Sequence, residues 1–120
     1  MRPLGAFRSF LYGYAERVAT PAISGGALTL DLSKANVFAV ARNGDMTTLT
    51  ISNVPIGAAS FTLRLTTDGA VHAWTWPASV NWGSLGEPVL STSGTQRDWI
   101  SFVSINGGTT WDAFVSGLSF

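Results

Sequence analysis

From Ala27 onward, apolar and polar positions alternate with period two, the spacing that puts every second side chain on one face of a strand. In Ala27-Leu28-Thr29-Leu30-Asp31-Leu32 the leucines share a face, and Val37-Phe38-Ala39-Val40-Ala41 is a second apolar run closed by the turn signal Asn43-Gly44-Asp45. Thr48-Leu49-Thr50-Ile51-Ser52-Asn53-Val54 alternates until Pro55 and Gly57 stop it, and Ser60-Phe61-Thr62-Leu63-Arg64-Leu65-Thr66 points Phe61, Leu63 and Leu65 inward. Asp68-Gly69 is the best two-residue hairpin turn, which predicts that Val71-His72-Ala73-Trp74-Thr75-Trp76 returns beside the preceding strand. A last hairpin is expected from residues 98–104, the turn Asn106-Gly107-Gly108, and residues 110–115. Short strands at intervals of about 8–12 residues, separated by Gly, Pro and Asn, predict an all-β fold, an antiparallel β-sandwich of jelly-roll-like type.

The first 22 residues follow another rhythm. Leu4, Phe7, Leu11, Tyr14 and Val18 recur at spacings of three and four, which aligns them on one face of a helix. Gly5 and Gly13 each cost a helix about 1 kcal/mol relative to alanine, and a helix this short is marginal without a partner. Residues 1–22 therefore read as an anchoring arm, helical or extended, that orders on assembly, with a boundary at Thr20-Pro21 and Ser24-Gly25-Gly26 before a module spanning 23–120.

Composition narrows the function. The chain's 120 residues suit one domain, and 46% apolar content is enough for a real core. Charged residues make up only 12%, half of the roughly 25% usual for soluble domains, so the surface is built from serine, threonine and glycine. Lys34 is the only lysine, a bias shared with surfaces that meet protein partners. Net charge is zero with no basic run, which argues against nucleic acid as a partner. Without cysteine there are no disulfides or thiolate metal sites; no stretch approaches the ~20 apolar residues of a membrane-inserting helix. The first residues do not read as a signal peptide, because Arg8, Tyr12 and Tyr14 interrupt any apolar run.

Candidate chemistry is sparse. His72 is the only histidine, and on a strand it reads as a surface or cross-strand residue rather than a general base. Asp98 and Asp112 fall on the two strands of the last hairpin, where they could face each other as a glycosidase pair. With Arg97 adjacent, the structural reading is preferred, and neither a catalytic group nor a cofactor or metal site is expected. The five tryptophans all lie between Trp74 and Trp111. Trp74, Trp82, Trp99 and Trp111 are candidates for subunit interface or ligand stacking; alternation puts Trp99 on the face opposite Ile100 and Phe102, hence outward.

The stretches Ile23-Ser24-Gly25-Gly26-Ala27-Leu28-Thr29-Leu30-Asp31-Leu32, Thr48-Leu49-Thr50-Ile51-Ser52-Asn53-Val54-Pro55, Trp76-Pro77-Ala78-Ser79-Val80-Asn81-Trp82 and Gly107-Gly108-Thr109-Thr110-Trp111, in that order, resemble a β-rich module at the ends of tailed-bacteriophage fibre proteins. The resemblance runs from Ile23 to Phe120. It implies a non-enzymatic virion structural protein, commonly a homotrimer, assembled in the host bacterial cytoplasm and attached to another virion protein through residues 1–22. In the family the module usually ends a longer fibre, whereas here the arm is short, which keeps open a capsid decoration protein. Asn106 stands where an acidic residue is expected and Asp112 where an aromatic often stands. A host receptor or surface glycan reader, using loops at Asn81-Trp82-Gly83-Ser84 and Asn106-Gly107-Gly108, is the competing expectation.

Overall fold

The computed structural model describes residues 15–120. The fold is nearly all β: β1 (Val18–Ala19), β2 (Ala27–Asp31), β3 (Val37–Arg42), β4 (Thr48–Ser52), β5 (Ala59–Thr67), β6 (Val80–Asn81), a 3-10 turn (Gly83–Leu85), β7 (Arg97–Ser104) and β8 (Trp111–Gly117). Six strands form one sheet in the order β1-β3-β5-β7-β8-β6, and β2 with β4 forms a second, two-stranded sheet.

The expected antiparallel arrangement is corrected to a mixed one. β1 with β3, β3 with β5, β2 with β4 and β6 with β8 are parallel; only β5 with β7 and β7 with β8 are antiparallel. The cause is the path of the chain. From β1 to β5 it alternates between the two sheets, so each strand of one sheet serves as the crossover that a parallel pair in the other requires. The turns at Gly25-Gly26 and Asn43-Gly44-Asp45 thus hand the chain across the core rather than folding it back on its neighbour.

The Asp68-Gly69 hairpin is likewise not formed. β5 already has β3 on one side and β7 on the other, so no edge is left for residues 71–76. That segment instead clips onto the turn before β4: the Met46 N–H donates to the Ala73 carbonyl at 2.9 Å, and the Thr75 N–H to the Met46 carbonyl at 2.9 Å. The last hairpin forms as expected, with Phe102 opposite Ala113 and Val103 opposite Asp112.

Of the arm, Leu4, Phe7, Leu11 and Tyr14 lie outside the described residues. Val18 is not on a helix: it is exposed in β1, opposite Val37, and the Asn36 and Val37 N–H groups both donate to the Arg17 carbonyl. The sheet therefore starts before the boundary expected near residue 22.

One core joins the two sheets. Phe38 and Val40 of β3, Phe61, Leu63 and Leu65 of β5, Ile100 and Phe102 of β7, and Trp111 and Ala113 of β8 share it with Leu28, Leu30 and Leu49 of the small sheet. Burying each large side chain contributes about 1.5–3 kcal/mol. The Phe61 ring stacks on Phe102 at 4.6 Å and meets Trp111 edge-on at 5.0 Å, pairings that add about 0.5–1.5 kcal/mol each.

Candidate functional site: an open sheet face and an edge groove

The tryptophans separate into distinct settings. Trp111 is buried against Phe61, and Trp76 is buried between Trp74, Trp82 and Phe102. Trp74 and Trp82 are half-buried lids on that cluster, with centroids 5.8 Å and 5.1 Å from Trp76. Trp99 stands apart on the outer face of the six-stranded sheet, half-buried beside its cross-strand partner Arg64, whose guanidinium lies 5.8 Å from the ring centroid.

Among the described residues that outer face is only partly covered: the Phe120 ring lies against Gly117 beside Trp99, and residues 20–22 border Ala39, Ala41 and Arg64. Its central rows are Ala39, Arg64 and Trp99, then Val37, Thr62, Ser101 and Phe114. Arg97 marks one end and Asp112 the other, so the charges are separated and the middle is apolar and hydroxylic.

A groove runs along the sheet edge where β6 stops. After Asn81 the chain turns away into Gly83–Leu85, leaving β8 without an outer neighbour beyond Asp112 among the described residues. The space, about 540 Å³, is lined by Asn81, Trp82, Ser84, Leu85, Asp112 and Phe114, with Val115 at its end. The Asn81 side-chain oxygen accepts the Gly83 N–H at 2.9 Å and shapes the turn. Phe114 is 55% exposed, so its ring is available in the groove.

The two aspartates do not meet. Asp98 points inward with 1% exposure, whereas Asp112 is exposed on the outer face. Asp112 is opposite Val103, five residues along β7 from Asp98, or about 17 Å of strand. Glycosidase carboxyls stand about 5–9.5 Å apart, and these share neither face nor row.

Asp98 instead ties loops to the sheet. Its carboxylate accepts the Ser91 N–H and the Ser91 hydroxyl, both at 2.7 Å, and the Ser119 N–H at 3.0 Å. Nearby, the buried Arg42 donates to the Ser91 carbonyl at 2.8 Å and the His72 carbonyl at 3.2 Å, and its guanidinium lies 5.6 Å from the Trp74 ring centroid. Burial pushes the Arg42 pKa below its ordinary value, with Asp98 and then Asp68 acting in the opposite direction. Alternation could have revealed Asp98, since it shares a face with Ile100 and Phe102.

His72 is held between carboxylates. Its Nε2 lies 3.0 Å from both Asp68 oxygens and its Nδ1 3.9 Å from Asp45. Its hydrogen bond is the main reason the Asp68 pKa is lowered, followed by the Ala70 N–H. Among the described residues, no group of three His, Cys, Asp or Glu could hold a metal ion.

Compared with protein-family models, curated proteins and solved structures, the chain matches none.

Proposed function

We propose that this chain is a non-enzymatic structural protein of a tailed-bacteriophage virion, a fibre-type or tail-associated β module displayed on the particle and attached through its N-terminal residues. In this reading the two sheets are the unequal halves of a jelly-roll-like sandwich, and copies associate as a homotrimer. The observation that carries it is the apolar and hydroxylic outer face of the six-stranded sheet, only partly covered among the described residues. Exposed sheet faces of monomers are normally rich in charge, yet here Val37, Ala39, Thr62, Trp99, Ser101 and Phe114 leave Arg64 as the only charged group in the two central rows.

A second copy suits this face better than an unrelated partner because the face carries charges of both signs at opposite ends. Arg97 and Arg64 lie toward one end and Asp112 at the other, so in a head-to-tail ring of copies the basic end of one can meet the acidic end of the next. Trp99, flat and partly desolvated beside Arg64, has the character of an interface anchor. The resemblance to phage fibre modules, from Ile23 to Phe120, supplies the setting.

Deleting residues 1–14 tests the attachment without touching β1. The truncated chain should fold and self-associate but be missing from purified particles; normal incorporation would remove the anchoring role.

A further inference from the structure

Three dipeptides place a side-chain amide or carboxyl directly before a glycine: Asn43-Gly44, Asp68-Gly69 and Asn106-Gly107. Glycine has no Cβ, so its backbone nitrogen can approach the side-chain carbon of the residue before it. Ring closure there needs two freedoms: the side chain must be able to turn, and the glycine N–H must not be held.

The fold withholds both from two of the three. The Asn106 side-chain oxygen accepts the Ser104 hydroxyl at 2.9 Å and the Thr110 N–H at 3.0 Å, and its amide donates to the Thr110 hydroxyl at 2.9 Å. The Gly107 N–H donates to the Gly57 carbonyl at 3.0 Å. At Asp68 the carboxylate accepts the Ala70 N–H and faces His72 Nε2, both at 3.0 Å, while the Gly69 N–H donates to the Thr67 hydroxyl at 3.1 Å. Asn43 differs: neither its side chain nor the Gly44 N–H has a hydrogen-bond partner among the described residues, and a Cβ on Gly44 would meet nothing within 4 Å. Exposure does not separate the two asparagines, because both are exposed. Hydrogen bonding does.

We propose that Asn43 is a self-modification site, deamidated through attack by the Gly44 backbone nitrogen, while the fold protects Asn106. The bond from that nitrogen to Cγ of Asn43 forms as the Cγ–Nδ2 bond breaks, and the Gly44 amide proton leaves with the side-chain nitrogen as ammonia. Water then adds to either carbonyl of the succinimide ring and opens it to aspartate or isoaspartate, with no oxidation or reduction. Either product takes the chain from zero net charge to one negative charge, and isoaspartate adds a methylene to the backbone of the turn between β3 and β4. The chemistry needs only the folded chain, so it stands or falls independently of the virion assignment.

The test is storage of the full chain in mildly alkaline buffer, with samples digested by trypsin over time and read by mass spectrometry. Cleavage after Arg64 and Arg97 separates the two asparagines, one in the peptide ending at Arg64 and the other in the peptide from Asp98 to Phe120. The mass gain of an amide becoming a carboxyl, placed on Asn43 by fragment ions, should accumulate about tenfold or more faster than on Asn106, whose hydrogen bonds must break first. In urea the two rates should converge. Gly44→Ala, at a glycine whose φ is outside the left-handed region and whose Cβ has room, should keep the thermal midpoint and slow Asn43 several-fold. The proposal is overturned if Asn43 stays intact, if Asn106 changes as fast or faster in the folded chain, or if Gly44→Ala leaves the Asn43 rate unchanged.

Discussion

Asp98 holds Ser91 twice, one carboxylate oxygen taking the Ser91 N–H and the other its hydroxyl, each at 2.7 Å. The same carboxylate takes the Ser119 N–H, so one buried acid fastens both the loop before β7 and the tail after β8. This is why an acid sits among core positions: it satisfies donors that burial would otherwise leave unpaired.

Replacing Asp98 with asparagine turns one acceptor oxygen into a donor facing an N–H. The expected loss is about 2–3 kcal/mol of unfolding free energy, read from urea denaturation at neutral pH. A change below about 0.5 kcal/mol, the range of an ordinary surface substitution, would contradict the fastening role.

Asp31 makes acid sensitivity predictable in sign. Its pKa is lowered to about 2, first by the Ser33 hydroxyl, then by the Asn53 amide and the Ser33 N–H. An unfolded aspartate titrates near 3.9, roughly. Because the folded value is the lower one, the group's stabilisation is complete above the unfolded value and is lost as pH falls from about 4 toward 2. Asp68, shifted the same way, adds to that trend. Urea midpoints across pH 2–6, roughly the window that spans both values, should therefore fall less steeply with acid for Asp31→Asn than for wild type. Parallel curves would mean that the Ser33 and Asn53 contacts do not tune this carboxyl in solution.

Gly107 and Gly108 distinguish backbone conformation from packing in one hairpin. Both have positive φ, +68° and +86°, but a Cβ on Gly108 would lie 3.0 Å from both Val54 γ-carbons, whereas on Gly107 it would meet only the Pro55 carbonyl at 4.0 Å. Gly107→Ala should cost about 1–2 kcal/mol from the left-handed backbone alone. Gly108→Ala should cost a further 1 kcal/mol or more, on the order of an overpacked site. Thermal unfolding of the two variants side by side reads the difference; equal losses would show that Val54 simply moves aside.

Trp99 and Arg64 carry the self-association claim. Trp99→Ala removes the aromatic surface and a cation–π contact of about 0.5–1 kcal/mol without opening the core on the other side of the sheet. Sedimentation equilibrium should show wild-type chain as a trimer of the 12.7 kDa subunit and the variant shifted toward monomer. A variant that keeps the wild-type mass would move the subunit contact elsewhere.

Alternation along the chain was enough to place most of β2, β3, β4, β5, β7 and β8, because one buried face writes itself into every second residue. It also put Trp99 outward. It could not give strand partners: period two says which face a residue takes, not which edge pairs, so Asp68-Gly69 read as a hairpin although both edges of β5 are occupied by β3 and β7. Crossovers between sheets look identical to hairpins in sequence, since Gly25-Gly26 and Asn43-Gly44-Asp45 supply turns of either kind. Trp82 was legible as a site candidate, but the groove beside it depends on where β6 ends, and Phe114 and Asp112 converge on it only through strand pairing.

The virion assignment is the claim on which the account rests, and immunogold labelling of phage particles purified from the bacterial cells that produce the chain tests it most directly. Label on the tail, retained after density-gradient purification, is the predicted result. Unlabelled particles, with the protein abundant in the lysate that produced them, would contradict it.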